Sequence, residues 1–289
     1  MNTLAALAAM ASGEPASAEL VDRYYTLCIP FYREFLGDHW HTGFYPEQGA
    51  IGPGDPLRME LLVARSAGVA AGSRVLDVGC GVGGTACHLA RALGAHVSGL
   101  TPNAAQRELA QARAAELGLH ELARFDTGWA HALPYESGSF DAVLFFESAC
   151  HFPDRAAFLA EAFRVLRPGG CLAGEDWLAG EGVEPVLRWT WSARVEEAWA
   201  IPALGTVGEY AALMRAAGFE VELARDMREE MPLLRGFLAD RQARAAVAEE
   251  ARHTADPMRR QIMEALVVLG KAAQLGAFTV GRFVARKPD

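Results

Sequence analysis

The sequence has no apolar run near the ~18 residues that a membrane-spanning helix needs, so such a span is excluded. It has no C-x-x-C pair, and its cysteines are odd in number: Cys28, Cys80, Cys87, Cys150 and Cys171. That pattern suggests neither a disulfide framework nor a zinc ribbon, and it fits a reducing compartment. Basic residues are in deficit, 27 Lys and Arg against 36 Asp and Glu, giving a net charge of −9. Without a basic block there is little to hold a phosphate backbone, so nucleic acid is disfavoured as a partner. No Lys or Arg precedes Arg23, and the Ala- and Leu-rich start therefore lacks the basic region of a signal peptide. Internal repeats and low-complexity linkers are absent too. These absences predict a cytoplasmic protein with neither a nucleic-acid nor a membrane partner. A homodimer stays open.

What is present is material for a core: 51% of the 289 residues are hydrophobic and 22% charged. From residue 73 onward, short strand-like stretches alternate with helical ones. "SRVLDVGCG" runs from a strand into a glycine loop, and "GTACHLARALG" reads as a helix with Gly94 just past its end. "AHVSGL" reads as the next strand, with Thr101 as N-cap and Pro102 as first residue of the following helix. "ARFDTG", "SFDAVLFFE" and "CLAGEDWL" are further strands. Asp154 is placed to cap a helix, and Thr206 with Glu209 forms a capping box. Pro257 opens an amphipathic helix carrying Ile262, Leu266 and Leu269 on one face. The alternation predicts an α/β fold: a Rossmann-like, seven-stranded, mostly parallel sheet with helices on both faces. Residues 1–66 are expected to form an N-terminal helical lid, with a helix over about 18–36. Residues 67–289 form the main domain, with cap insertions at about 182–206 and 232–274.

The chemistry starts at "VLDVGCGVGG", which contains Gly79-x-Gly81-x-x-Gly84 between a strand and a helix. Glycines there let the chain turn tightly and let a ligand approach main-chain N–H groups at a helix N-terminus. The motif alone is a weak signal. Asp77, two residues before Gly79, sharpens it: a carboxylate there repels a pyrophosphate and attracts an ammonium or sulfonium. A dinucleotide site also wants an acid at the end of the second strand. That strand ends "SGLTPNAAQ", with no acid before Glu108. Nicotinamide dinucleotides are disfavoured on both counts.

"VLDVGCGVGG", followed in order by "GLTPNAAQ", "ALPYESGSFDAV" and "FFESACHFPDRAAFLAEAFRVLRPGG", resembles the class I S-adenosylmethionine (SAM) methyltransferases over about 70–175. Within them it is most similar to the small-molecule branch that includes tocopherol, sterol, sarcosine/dimethylglycine and terpenoid C-methyltransferases. The resemblance implies SAM as cofactor, S-adenosylhomocysteine (SAH) as product and a small-molecule substrate, with natural-product metabolism as context. It implies that Asp77, Gly79, Cys80, Gly81, Leu100, Thr101, Gln106, Gly128, Trp129, Ala130 and Phe146 border the cofactor. Many relatives carry Asp-Ala before "LP" to hold the adenine amine. This chain has Trp129-Ala130 there, which leaves that role to Asp126 or a main-chain carbonyl, or leaves Trp129 as plain core.

"GDHWHTGFYPEQGA" resembles the His-x-His-x-Gly loop that lies ahead of the glycine motif in the same branch and folds over cofactor and substrate. Carried over, His41, Thr42 and Gly43 lie near the methionine part of SAM, while Tyr24 and Tyr25 come from the covering helix. A sulfonium is attracted to aromatic faces. The plainer alternative is that these aromatics are the apolar stripe of a helix. His39 and His41 as metal ligands lack a third donor at useful spacing, so no metal is expected.

"FFESACHF" places Glu147, Cys150 and His151 after the fourth strand, whose carboxyl end borders the ligand crevice in such folds. Cys150 and His151 are sequence neighbours and point apart, so a Cys-His dyad is disfavoured. Glu147 and His151 are four apart and share a face if the chain turns helically. The resemblance gives both as catalytic candidates. A carboxylate suits carbon or amine chemistry, and a neutral imidazole suits a hydroxyl acceptor. Glu175, Asp176 and Trp177 end the fifth strand, where the carboxylates are expected to face the crevice and touch substrate. Two rivals remain open: a SAM-binding cyclase or rearrangement enzyme of this fold, and a non-catalytic SAM-binding protein.

Overall fold

The computed structural model describes residues 25–30, 32–34, 37–41, 56–229 and 241–289. Tyr24, Thr42 and Gly43, the start of the expected lid helix, and residues 230–240 of the cap lie outside them. Seven strands form one sheet: β1 (Arg74–Val78), β2 (His96–Thr101), β3 (Ala123–Thr127), β4 (Phe140–Phe146), β5 (Leu166–Ala179), β6 (Glu220–Asp226) and β7 (Phe278–Arg286). Their order is β3-β2-β1-β4-β5-β7-β6. The pairs from β3 to β5 are parallel, and β7 lies antiparallel between β5 and β6. The chain steps one way from β1 to β2 and the other way from β4 to β5. The crevice at the carboxyl ends of β1 and β4 is therefore the switch point where such sheets bind ligands.

Both faces of the sheet are covered, which is why the central strands read as near-continuous apolar runs. In β4, Val143 and Phe145 join a core with Phe158 and Leu159 of α4 (Arg155–Val165) and with Tyr210 and Met214 of α6 (Val207–Ala216). Leu144 and Phe146 face the other core. There they meet Met59 and Val63 of α1 (Pro56–Ser66), Leu89 of α2 (Gly84–Leu93) and Val195 and Trp199 of α5 (Pro185–Trp199). Phe145 and Phe158 are both almost fully buried and meet edge to face, with ring centroids 5.9 Å apart. Burying each such ring contributes about 2–3 kcal/mol.

Most caps follow the sequence. Gly94 ends α2 in the left-handed conformation, Asp154 accepts from the Ala157 amide, and Thr206 and Glu209 form the reciprocal capping box. One expectation is corrected. Thr101 is the last residue of β2, paired with Thr127, and Asn103 caps α3 (Ala104–Glu116) by accepting from the Gln106 amide at 2.8 Å. Pro102 is thus outside the helix. The fifth strand is also longer than expected and includes the RPGG turn. Beyond β6, α7 (Arg241–His253) and α8 (Pro257–Gln274) complete the described cap. Trp199 anchors α5 to α8 by donating from Nε1 to the Ala265 carbonyl at 3.2 Å.

Candidate active site at the sheet's carboxyl edge

The glycine loop is shaped by its neighbours. The Gly79 and Cys80 amides both donate to the Leu100 carbonyl, at 2.8 and 3.0 Å, which ties the loop to β2. Gly79 has φ +85, and a Cβ there would stand 2.4 Å from the Ser148 Cβ, so no other residue fits. Ser148 is held close because its Oγ donates to the Val78 carbonyl at 2.7 Å. Gly84, at the start of α2, faces the Asp38 carbonyl of the N-terminal cover, 2.0 Å from where a Cβ would stand. The Cys80 thiol is buried, and its pKa is pushed well above normal by desolvation and then by Asp77. It supports the loop and is not a nucleophile.

Asp77 is 2% exposed, and its Oδ2 has no hydrogen-bond partner. Burial, and next the negative charge of Glu60, push its pKa up to about 7. On the β2 side Thr101 Oγ1 donates to Gln106 Oε1 at 2.6 Å, so Thr101 and Gln106 lie together under the loop. Asn103 also donates to Thr26 Oγ1 at 2.8 Å, fastening the cover to this corner. Gly128 donates to the Thr101 carbonyl at 3.0 Å. Trp129 is half-buried and stacks on His131 at 5.9 Å, while Ala130 is buried. Trp129 is therefore not plain core. Asp126, an alternative for the adenine amine, already accepts from the Tyr135 hydroxyl at 3.0 Å.

The cover is tied down by a residue that sequence reasoning missed. Glu60, on α1, is fully buried. It accepts from His39 Nδ1 at 2.7 Å, His41 Nε2 at 2.8 Å, Thr85 Oγ1 at 2.8 Å and His88 Nδ1 at 2.5 Å. Burial works against its charge, but the bonds from His39, His41 and His88 outweigh burial and hold its pKa far below the usual range. Glu60 also supplies the third donor that His39 and His41 lacked in the sequence. The nitrogens sit 2.7 and 2.8 Å from its oxygen. Two ligands on one tetrahedral zinc lie about 3.4 Å apart. The arrangement as it stands is a hydrogen-bonded carboxylate. A detectable signal was there: Glu60 falls on the buried stripe with Val63 and Ala64, at helical spacing.

His41 lies over Phe146, with ring centroids 5.4 Å apart. Its Nδ1 is 4.0 Å from Glu175 Oε1. Glu175 pairs with Phe146 in register and is 0% exposed, and among the described residues neither of its oxygens has a hydrogen-bond partner. Burial pushes its pKa well above normal, followed by the charges of Glu147 and Asp176. The expectation that Asp176 shares this crevice face is corrected by strand alternation. Asp176 points to the opposite core, where it accepts from Tyr210 Oη at 2.7 Å and from the Cys150 thiol. Burial still raises it to about 7. Cys150 is thereby drawn away from His151. Trp177 lies on the Glu175 face, set edge-on to Trp199 and Phe278.

Glu147 donates its amide to the Glu175 carbonyl at 2.9 Å, extending the β4–β5 ladder by one residue. It then adopts φ +44, which costs a non-glycine residue about 1 kcal/mol. That turn is followed by a single 3-10 turn, Ala149–His151, in place of the helical continuation that would have set Glu147 and His151 on one face. His151 is half-buried, bonded to the Ala200 main chain, and 6.0 Å edge to face from Tyr25 of the cover. Burial lowers its pKa to about 4, against the Ala200 bond. The imidazole is neutral at pH 7. Ala200 itself has φ +54, one of the two left-handed non-glycine residues among the described ones.

The cradle therefore combines a glycine loop at a helix N-terminus, a buried aspartate with one unpartnered oxygen and an aromatic cover. Those features fit a ligand with cationic groups. Residues 76–174 match the family model described as a methyltransferase domain. "Methyltransferase GfsG" of Streptomyces halstedii is 36% identical over 218 residues, covering 73% of this chain and 76% of that protein. "27-O-demethylrifamycin SV methyltransferase" of Amycolatopsis mediterranei is 33% identical, with 75% of each chain covered. Among solved structures, the [4+2]-cyclase SpnF superposes with a TM-score of 0.78 at 25% identity, covering 94% of this chain and 96% of that one. Fold, cradle and relatives agree: the chain belongs to the class I SAM-dependent methyltransferases that act on small molecules.

Proposed function

We propose that this methyltransferase acts on a hydroxyl oxygen of a largely apolar natural product, with His151 as the proton acceptor. SAM, when bound, supplies an electrophilic methyl group on a positively charged sulfur. The observation that carries the proposal is His151: a neutral imidazole at the carboxyl end of β4, steadied by Ala200 and by the edge of Tyr25. A ring nitrogen of His151 takes the hydroxyl proton as the oxygen becomes nucleophilic. The low pKa makes it a weak base toward water, so it acts only once the acceptor oxygen is already losing its hold on the proton. Glu147, turned by its positive φ at the end of β4, stands nearer Glu175 than the imidazole and is the alternative proton acceptor. Tyr25, Trp177 and the aromatic cap on α5 exclude water and supply apolar surface. The relative named 27-O-demethylrifamycin SV methyltransferase, whose name places the methyl on oxygen, favours oxygen.

We further read residues 25–41 as part of a lid over the crevice, joined to it through Thr26, His39 and His41. The similarity to a cyclase keeps one rival alive, chemistry in the same cradle without methyl transfer. Product analysis with methyl-labelled SAM and a hydroxyl-bearing apolar acceptor separates the two. Label in an ether carbon, with His151→Gln lowering kcat by about 10²–10⁴ while SAM binding persists, supports the proposal. Label in a C–C-bonded methyl, with Glu147→Gln the damaging change, would move the proton to Glu147. Unlabelled product would favour the cyclase.

A further inference from the structure

Glu175 is the buried carboxyl that neither the proposed methyl transfer nor the fold employs. It is 0% exposed, and both its oxygens lack hydrogen-bond partners among the described residues. Asp77, on the same sheet face two strands away, is 2% exposed with Oδ2 in the same condition. Between them lies Phe146, topped by His41. A buried carboxylate with nothing to hold its charge is unstable by several kcal/mol and either takes a proton or finds a cation.

The groups around Glu175 do not supply that cation. Across the β5–β7 pair Arg282 is opposite in register, yet the Arg282 Nε is itself without a partner and neither Glu175 oxygen is bonded to the guanidinium. The cover brings His41, whose Nε2 is committed to Glu60 at 2.8 Å and whose Nδ1 stops 4.0 Å from Glu175 Oε1, beyond hydrogen-bond reach. The end of β4 brings Glu147, and Asp176 adjoins on the same strand, both of them acids. Glu60 of α1 and Asp77 of β1 lie on the far side of His41. SAM carries two positive groups, an ammonium and a sulfonium, whereas its product SAH keeps only the ammonium. Two orphaned carboxyls line the face, and one of the two charges disappears at turnover.

We propose that Glu175 reads the sulfonium: it holds a proton when the crevice contains no sulfonium and gives it up when SAM enters. Asp77, beside the glycine loop, serves the ammonium common to SAM and SAH. After methyl transfer the positive sulfur has become a neutral thioether, Glu175 takes a proton back from solvent, and SAH is held less tightly than SAM. Glu175 thus favours exchange of product for fresh cofactor. The inference rests on the crevice being the SAM site; if SAM does not bind at all, that reading fails and not this one.

Calorimetric titration of the full-length protein at pH 7, in two buffers of different ionisation enthalpy, counts the protons displaced by each ligand. SAM is expected to release about one proton more than SAH. Glu175→Gln mimics the neutral acid, so it should abolish that excess and lower the SAM-to-SAH affinity ratio about tenfold or more. Equal proton release by SAM and SAH in the unaltered protein would overturn the proposal. So would an excess that survives Glu175→Gln. Rotation of Glu175 onto Arg282 would also register as equal release. Should the variant not fold, the SAM-to-SAH affinity ratio of the unaltered protein still decides. It must rise between pH 5.5 and 7.0, and a flat ratio contradicts the proposal.

Discussion

Glu60 and Glu175 are both fully buried glutamates within reach of the same imidazole, yet they are opposites. Glu60 accepts four hydrogen bonds from His39, His41, Thr85 and His88, while Glu175 accepts none. Position along the fold explains the contrast. Glu60 sits on a helix flank, where the cover and α2 were free to bring donors to it. Glu175 lies on β5 level with Phe146, facing His41 of the cover, and on the proposal above permanent donors there would compete with the ligand. A saturated buried charge holds structure together, whereas an orphaned one marks where something else binds.

The contrast can be broken most severely at Glu60. Glu60→Ala leaves His39, His41, Thr85 and His88 without their shared acceptor, and it removes a buried charge on which the cover depends. We expect a loss of about 3–5 kcal/mol, read as a fall in Tm on the order of 10 °C. A loss below ~1 kcal/mol would mean the cover is not anchored there. Next is the pH response of the ligand-free protein. Asp77 has a folded pKa raised to about 7, so the folded state binds more protons than the unfolded one between about 4 and 7. Its contribution to stability is therefore present at low pH and is lost as pH rises through that window. Glu60, with its pKa depressed, has the reverse sign: its contribution is present above the ordinary glutamate range and lost as pH falls below it. Asp77→Asn should raise the ligand-free stability at pH 8 relative to pH 5, by roughly 4 kcal/mol at most. Denaturant titrations at the two pH values measure this.

Asp176 is the intermediate case, buried and raised to about 7 but held by Tyr210. Tyr210→Phe should cost about 1–3 kcal/mol in a thermal melt at pH 7. Smallest is Glu175→Gln, which should change ligand-free stability at pH 5.5 by under ~1 kcal/mol, because amide and protonated acid are alike in charge and shape. A large destabilisation would show that Glu175 has structural partners after all.

Much of the site was legible in the sequence because its signals are local. The glycine loop with Asp77, the Asp154 cap, the Thr206–Glu209 box and the Pro257 helix start each depend on residues a few positions apart. Thr101 was misjudged because two residues with N-cap side chains stand two apart, and only pairing with Thr127 shows that the strand continues through the first. Asp176 was misplaced by reading three consecutive strand residues as one surface. The antiparallel insertion of β7 depends on contacts between strands far apart in the chain, which periodicity does not encode. Glu60 was missed because its four partners lie 19 to 28 residues away in both directions. A charged residue inside the apolar stripe of α1 was the only local trace.

The central claim is that the orphaned carboxyls are held for the cofactor's charge. The most direct test is the rise in Tm produced by saturating SAM, measured at pH 5.5 and pH 7.0. Binding that expels protons strengthens as protons become scarce. The rise should therefore be larger at pH 7.0 in the unaltered protein, and Glu175→Gln should remove the share of that pH dependence due to Glu175, leaving the share due to Asp77. A SAM-induced rise that is the same at both pH values, or whose pH dependence is untouched by the substitution, would contradict the account.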